Sequence, residues 1–188
     1  MSLPPNPPAI ILVRPQLGMN IGAVARAMLN FGLTDLRLVC PRDGWPNPEA
    51  GPSAAGADSV IENARVFDSV SEAIADCTLT IGTAQTTRDM VRRVTSPAGC
   101  VAEMQALPGK SALLFGPERT GLVREDLLKC HAICTIPSNP DFGSLNLAQA
   151  VAVLGYAWVM GQAAPPPTWL VNHDGPAVQH ELTWLIAA

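Results

Sequence analysis

The stretch "AIILVRPQLGMNIGAVARAMLNFG", Ala9 to Gly32, sets one segment type directly after another. Its first six residues are an apolar, β-branched run of strand length, and the remainder switches to helical periodicity. Asn20 reads as the N-cap and Gly32 as the C′ residue of that helix. At 100° per residue Ile21, Val24, Ala25, Met28 and Leu29 form the buried stripe, and Gly22, Arg26 and Asn30 lie on another face. Gly22 weakens a helix by ~1 kcal/mol and hints that something approaches the backbone closely there. Arg26 beside it is either an ordinary solvated cation or a group with a task.

The same alternation continues outward. Apolar runs at 35–39, 64–67, 77–83, 111–116 and 132–136 are separated by helix-like segments, one of which opens with a capping box, Ser69 and Glu72. Runs this apolar are expected in a parallel sheet covered by helices on both faces. The fold class is therefore α/β with a mostly parallel sheet. Prolines cluster in "PPNPP" and "PPP", which gives a Pro-rich arm over 1–8, one domain over 9–164 and a tail over 165–188.

The 188 residues are 48% hydrophobic and 15% charged with a net charge of −4, which suits one compact domain and gives no overall basic footprint. Ten of the 12 basic residues are arginines, and Arg88, Arg92 and Arg93 fall together in "TTRDMVRRVTSP", where guanidiniums can clamp phosphates. The five cysteines form no CxxC pair and no secretory signal precedes them, a pattern of reduced thiols in a cytoplasm. Cys130, His131 and Cys134 lack a fourth ligand and read as small core residues, so no metal is expected. "AVAVLGYAWVM", Ala150 to Met160, is too short to span a membrane, which takes about 20 residues.

No GxGxxG follows the first strand, which excludes the usual dinucleotide fingerprint and with it a typical nucleotide-binding oxidoreductase. Glycines gather in loops after later strands instead. In an open α/β sheet the ligand crevice lies beyond the carboxyl ends of the strands, where the loops after 83, 116 and 136 converge. "LLFGPERTGL", Leu113 to Leu122, carries Glu118, which can cap a helix or orient a substrate. "IPSNPDFGSLNLAQAVAVLGYA", Ile136 to Ala157, joins an irregular loop to an apolar helix capped by Ser144 or Asn146, with Gln149 reciprocating. Ala148, Ala152 and Gly155 in that helix allow close packing against a second chain or a deeply buried position.

Together "NIGAVARAMLNFG", "FGPERTGL" and "IPSNPDFGSLNLAQAVAVLGYA" resemble the three ordered motifs of the SpoU/TrmH branch of the SPOUT RNA methyltransferases, over about Ile10 to Trp158. Within that branch the chain is most similar to the TrmJ-like tRNA methyltransferases. The resemblance implies an α/β-knot domain with a deep trefoil knot in its C-terminal half, a homodimer formed through the motif-one and C-terminal helices, and S-adenosylmethionine as cofactor. It implies transfer of methyl to a ribose 2′-hydroxyl of tRNA, at position 32 of the anticodon loop, with ribosomal RNA and a non-catalytic RNA-binding role as alternatives. By residue match, Thr83, Ala84, Gln85, Gly116, Ile136, Gly143, Ser144 and Leu145 line the cofactor. Arg26 matches the catalytic arginine, and Asn20, Glu118, Ser144 and Asn146 its polar support. Relatives usually continue into a further helical segment, whereas this sequence stops soon after "HELTWLIAA"; Gln85 also stands where relatives often have another residue. Arg88, Arg92 and Arg93 are then the expected RNA clamp.

Overall fold

The computed structural model describes residues 6–85 and 92–162. The expected tail over 165–188, Arg88, and most of the arm over 1–8 lie outside these residues. The described chain runs β1 (Ala9–Val13), α1 (Gly18–Asn30), β2 (Leu36–Val39), α2 (Ala50–Ala54), α3 (Asp58–Glu62), β3 (Arg65–Phe67), α4 (Val70–Ala73), β4 (Cys77–Thr83), β5 (Val94–Thr95), α5 (Pro97–Ala106), β6 (Lys110–Phe115), α6 (Arg124–Leu127), β7 (Ala132–Cys134) and α7 (Leu147–Met160).

The strands form one sheet in the order β3-β2-β1-β6-β4-β7-β5, and every neighbouring pair is parallel. Side chains alternate across a strand, so β1 feeds two cores. Ile10 and Leu12 join Leu36, Leu38, Leu113 and Phe115 beneath α1 and α7. Ala9, Ile11 and Val13 join Ala112 and Leu114 on the face covered by α4 and α6. Burial on both faces explains why the strands are uniformly apolar in sequence. The six anticipated strands are present with ends that agree to within two residues, β4 matching its expected bounds and β6 starting one residue earlier. β5 was not anticipated: at two residues it is too short for a periodicity to register, and its pairing with β7 creates it.

Two readings of α1 are corrected. The helix begins at Gly18 with Leu17 at the N-cap position, so Asn20 lies inside the first turn and is not the cap. Its amide is diverted to a tertiary partner, which a local capping rule does not anticipate. Leu29 is 39% exposed rather than buried: it stands in the last turn of α1, and the packing of α2, α3 and α7 on this helix leaves it partly open. Gly32 does end the helix with φ of 69°, a conformation glycine adopts without strain. The close approach anticipated at Gly22 comes from α2: a Cβ there would lie 2.0 Å from the Ala50 carbonyl oxygen.

In α7, Asn146 caps, and Ser144 does not. Asn146 Oδ1 accepts from Ala148 N–H at 2.9 Å, while Gln149 Oε1 accepts from Asn146 N–H at 3.1 Å, a reciprocal capping box. The small-residue face of α7 meets α1 of the same chain, where Phe31 packs over Gly155, so close that a Cβ there would lie 2.6 Å from the ring. Among the described residues no helix is long and apolar enough to cross a membrane.

Candidate active site

Parallel strands deliver their following loops to one edge of the sheet, and three of those loops meet. A cleft of ≈ 390 Å³ is lined by Thr83, Ala84 and Gln85 after β4, by Arg119 and Thr120 after β6, and by Ile136, Gly143, Ser144 and Leu145 after β7, with Cys134 and Ala150. An adjoining recess of ≈ 140 Å³ shares Thr83, Ser144 and Leu145 and adds Gly116, Pro117, Glu118 and Gly121. Every residue expected to line a cofactor therefore stands on one of these two connected surfaces.

Side-chain and backbone bonds hold the loops in place. Thr83 Oγ1 donates to the Leu114 carbonyl at 2.9 Å. Ala84 N–H donates to the Cys134 carbonyl at 3.2 Å, and the Ala84 carbonyl accepts from Thr135 Oγ1 at 3.0 Å. Ala84 thus spends both backbone groups on Cys134 and Thr135, at the end of β7, and Gln85 beside it lines the cleft with an amide. The loop after β6 doubles back so tightly that a Cβ on Gly116 would lie 2.1 Å from Gly121 C and Leu122 N. Gly143 presses on Gln85 in the same manner, with a Cβ position 2.3 Å from Gln85 Nε2. The cradle is narrow because these glycines let backbone meet backbone and side chain.

Glu118 caps no helix. One carboxylate oxygen accepts from Asn20 Nδ2 at 2.7 Å and the other from Gln16 N–H at 3.1 Å, so the loop after β6 and the entry to α1 are clamped together beside the recess. Next to this clamp, Arg14 and Asp126 form an ion pair, with Arg14 Nη1 to Asp126 Oδ1 at 3.4 Å. Asp126 is 3% exposed and also accepts from Val123 N–H at 3.2 Å. Neither Gln16 nor the Arg14–Asp126 pair carries a sequence signal, because each is defined by a partner about a hundred residues away.

The remaining expected residues divide. Ser144 is exposed at the junction of cleft and recess, whereas Asn146 is committed to capping α7 and lines neither. Arg26 is exposed on α1 and is not among the lining residues of either surface. Arg92 donates to the Leu128 carbonyl at 2.6 Å and Arg93 grips Glu103 with two bonds, one at 2.6 Å, so both serve internal contacts. Arg119 and Thr120, without an assigned role in the sequence reading, line the cleft; the adjacency of Arg119 to Glu118 was the available signal. His131 Nδ1 accepts from Thr80 N–H at 3.1 Å, while Cys130 and Cys134 lie buried in opposite cores.

Comparison with known proteins supplies an independent line. An "uncharacterized tRNA/rRNA methyltransferase" of Haemophilus influenzae is 44% identical over 147 residues, covering 78% of this chain and 60% of its own length. The tRNA (cytidine/uridine-2′-O-)-methyltransferase TrmJ of Escherichia coli K12 is 42% identical over 179 residues, covering 93% of this chain and 69% of the enzyme. The crystal structure of TrmJ from Z. mobilis ZM4 superposes with a TM-score of 0.81 at 55% identity, over 83% of this chain and 70% of that one. The chain thus spans between three fifths and about seven tenths of the relatives it matches. Residues 7–156, which contain all three converging loops, the whole of α1 and most of α7, match the SpoU rRNA Methylase family, and the chain belongs to that family.

Proposed function

We propose that this protein is an S-adenosylmethionine-dependent tRNA ribose 2′-O-methyltransferase acting on cytidine or uridine, at position 32 of the anticodon loop. The observation that carries the reading is the convergence of Thr83–Gln85, Ile136 and Gly143–Leu145 on one cleft with the Asn20–Glu118 clamp at its edge. The cleft fits the cofactor in scale, since small-molecule sites run about 300–1,000 Å³, and in chemistry, since such sites join apolar walls to a few polar groups, as Ala84, Ile136 and Leu145 are joined here by Thr83, Gln85 and Ser144.

S-adenosylmethionine supplies an electrophilic sulfonium methyl when bound. The residues of this chain supply alignment. The loops after β4 and β7 would hold the cofactor, and the clamped Asn20–Glu118 pair would fix the wall along which the acceptor ribose is positioned. Positioning of this kind accounts for much of the acceleration in two-substrate transfers. Ser144, exposed where the two surfaces join, donates to the acceptor nucleotide. Arg26 lies outside both surfaces of its own chain, so its part in this reading, stabilising the alkoxide that develops on the 2′-oxygen and holding the adjacent phosphate, requires the homodimer described below to bring it to the cleft. A guanidinium in a protein stays protonated, so the proton leaves through an RNA phosphate or water and not through Arg26.

The reading includes a homodimer built on α1 and α7, supported by the apolar side chains these helices leave exposed, Met19, Leu29, Val153, Tyr156 and Met160. It includes a trefoil knot in the C-terminal half, supported by family membership and by a strand order that inserts β6 between β1 and β4. It places the enzyme in the cytoplasm with its tRNA. Arg88, Arg92 and Arg93 retain a part in RNA binding, with Arg119 added.

The test is transfer of labelled methyl from S-adenosylmethionine to unmodified tRNA and to ribosomal RNA, followed by mapping of the modified nucleotide. Label on the ribose at tRNA position 32 is the expected result. Label on ribosomal RNA alone moves the substrate, and cofactor binding without transfer to either RNA favours the non-catalytic reading.

A further inference from the structure

The loop over 137–145 carries a side chain that the chemistry above does not use. Phe142 is 80% exposed, the highest value among the large hydrophobic residues described. A phenylalanine left in water forgoes the ~1.5–3 kcal/mol its burial would return, and nothing in the described chain covers this one.

The ring stands on fixed backbone. Phe142 N–H donates to the Asn139 carbonyl at 3.0 Å, Asp141 N–H to Asn139 Oδ1 at 3.0 Å, and Ser138 Oγ to the Gly143 carbonyl at 3.2 Å. The next residue, Gly143, is pressed on Gln85, and Gly143, Ser144 and Leu145 all line the cleft. Phe142 therefore projects from the rim of the cleft. Ser138 Oγ and Asn139 Oδ1 are spent on the turn although both residues are exposed, Asp141 beside them is exposed as well, and the Phe142 ring is the large apolar face that this rim presents.

We infer that Phe142 is the stacking platform for the nucleobase of the acceptor nucleotide, an inference that rests on the RNA methyltransferase reading above. The acceptor ribose has to enter beside Ser144 and Leu145, and its base is carried on the same sugar past the rim. Single-stranded RNA is recognised by splaying bases onto aromatic side chains. Stacking is tolerant of base identity, since every base has a π-face, which suits a site that takes both cytidine and uridine. Arg119, exposed on the opposite loop of the cleft, supplies a charge for the backbone phosphate.

The experiment compares wild-type protein with Phe142→Ala, Phe142→Leu and Phe142→Tyr in methyl transfer to unmodified tRNA transcripts bearing cytidine or uridine at the acceptor position. Calorimetry of S-adenosylmethionine binding and sedimentation of the free proteins accompany it. Loss of a stacked base raises the tRNA KM of Phe142→Ala about tenfold or more, with kcat held within about twofold because stacking binds ground and transition states alike. Phe142→Tyr matches wild type, Phe142→Leu fails as alanine does, cofactor affinity is unchanged, and the cytidine-to-uridine ratio stays constant while both fall. An unchanged KM in Phe142→Ala overturns the inference, as does full rescue by leucine, which would make the contact apolar burial. A smaller sedimenting species for Phe142→Ala also overturns it, by assigning the ring to a second copy. Wild-type protein that methylates no RNA overturns the parent reading, whereas active wild type with a normal Phe142→Ala overturns this inference alone.

Discussion

Asn20 and Glu118, 98 residues apart, are joined by a 2.7 Å hydrogen bond from Nδ2 to Oε1, and the second carboxylate oxygen of Glu118 is held by the Gln16 amide. The pair locks the loop after β6 to the first turn of α1 beside the recess, so its value lies in alignment. Glu118→Ala releases both partners and lowers kcat/KM by roughly 100-fold, the scale of a small misplacement of reacting groups. Asn20→Ala gives a smaller loss, and the double variant is no worse than Glu118→Ala, because the two residues act as a unit. Steady-state methyl transfer with cofactor binding measured alongside checks this; additive losses would dissolve the pair.

The ion pair of Arg14 with the buried Asp126 makes a prediction about stability. Asp126→Ala removes the pair and strands the Val123 amide, costing about 2–4 kcal/mol. Arg14→Ala leaves a buried carboxylate without its cation but keeps the Val123 contact; since Arg14 is itself 41% exposed, the cost is about 1–3 kcal/mol. Urea unfolding midpoints measure both, and a double variant less damaged than the sum identifies the pair as the source.

These two relationships also mark where the sequence is readable. The sheet class is visible because burial on both faces makes β1, β4 and β6 largely apolar, and the cleft residues are visible because glycines and short polar residues cluster after β4, β6 and β7. The capping box of α7 is visible because Asn146 and Gln149 are three apart. Asn20 misleads for the opposite reason: a local rule assigns it to a helix end, while its bond goes to Glu118 in another motif. β5 and the Arg14–Asp126 pair exist only through pairing across the chain, and no window of sequence contains both partners.

At the opposite end of the sheet, Asp35, Asp76 and Lys110 surround Arg37, which is 1% exposed. Burial opposes ionisation of Asp35, but hydrogen bonds from Arg37, Lys110 and Arg65 outweigh it and hold the carboxyl far below its usual 3.8. The Arg37 hydrogen bond does the same for Asp76. A carboxylate depressed in the folded state contributes stability that is full above its unfolded pKa and is lost as pH falls through the folded value. Stability therefore declines below about pH 4, and Asp35→Asn flattens that decline while lowering stability at neutral pH. Methyl transfer at pH 7 by the folded variant stays unchanged, since the cluster lies at the far edge from the cleft. Urea midpoints between pH 3 and 7 give the test.

The cysteines separate by burial. Cys40 is exposed, Cys77 is partly covered, and Cys100, Cys130 and Cys134 are buried. Burial pushes the Cys77 thiol up to about 11 and that of Cys130 to about 12, and the thiolate is the reactive form. Native protein at pH 8 therefore takes up roughly one equivalent of a thiol reagent quickly, at Cys40, and the remainder only on unfolding. Cys40→Ser removes the fast phase. Fast labelling of Cys134, which lines the cleft, would show the cleft floor to be open to solvent, and bound cofactor would then protect it.

Arg26→Lys separates the two chemical roles open to the motif-one arginine. An electrostatic stabiliser works through directed N–H groups on the developing oxyanion, and loss of one such donor costs about 100- to 1,000-fold in kcat. Lysine keeps the charge but replaces a planar fork with a point charge on a flexible stem. Turnover of Arg26→Lys under saturating tRNA and cofactor should fall by about that factor, while cofactor affinity holds because Arg26 lines neither part of the cleft. The pH dependence then discriminates. A lysine acting as base would become competent only as it deprotonates, so the rate would climb as pH approaches about 10. A lysine that stabilises charge is competent only while protonated, so after correction for the wild-type profile its residual rate stays level and then drops over the same range. A rising corrected profile would restore the general base and remove the electrostatic role.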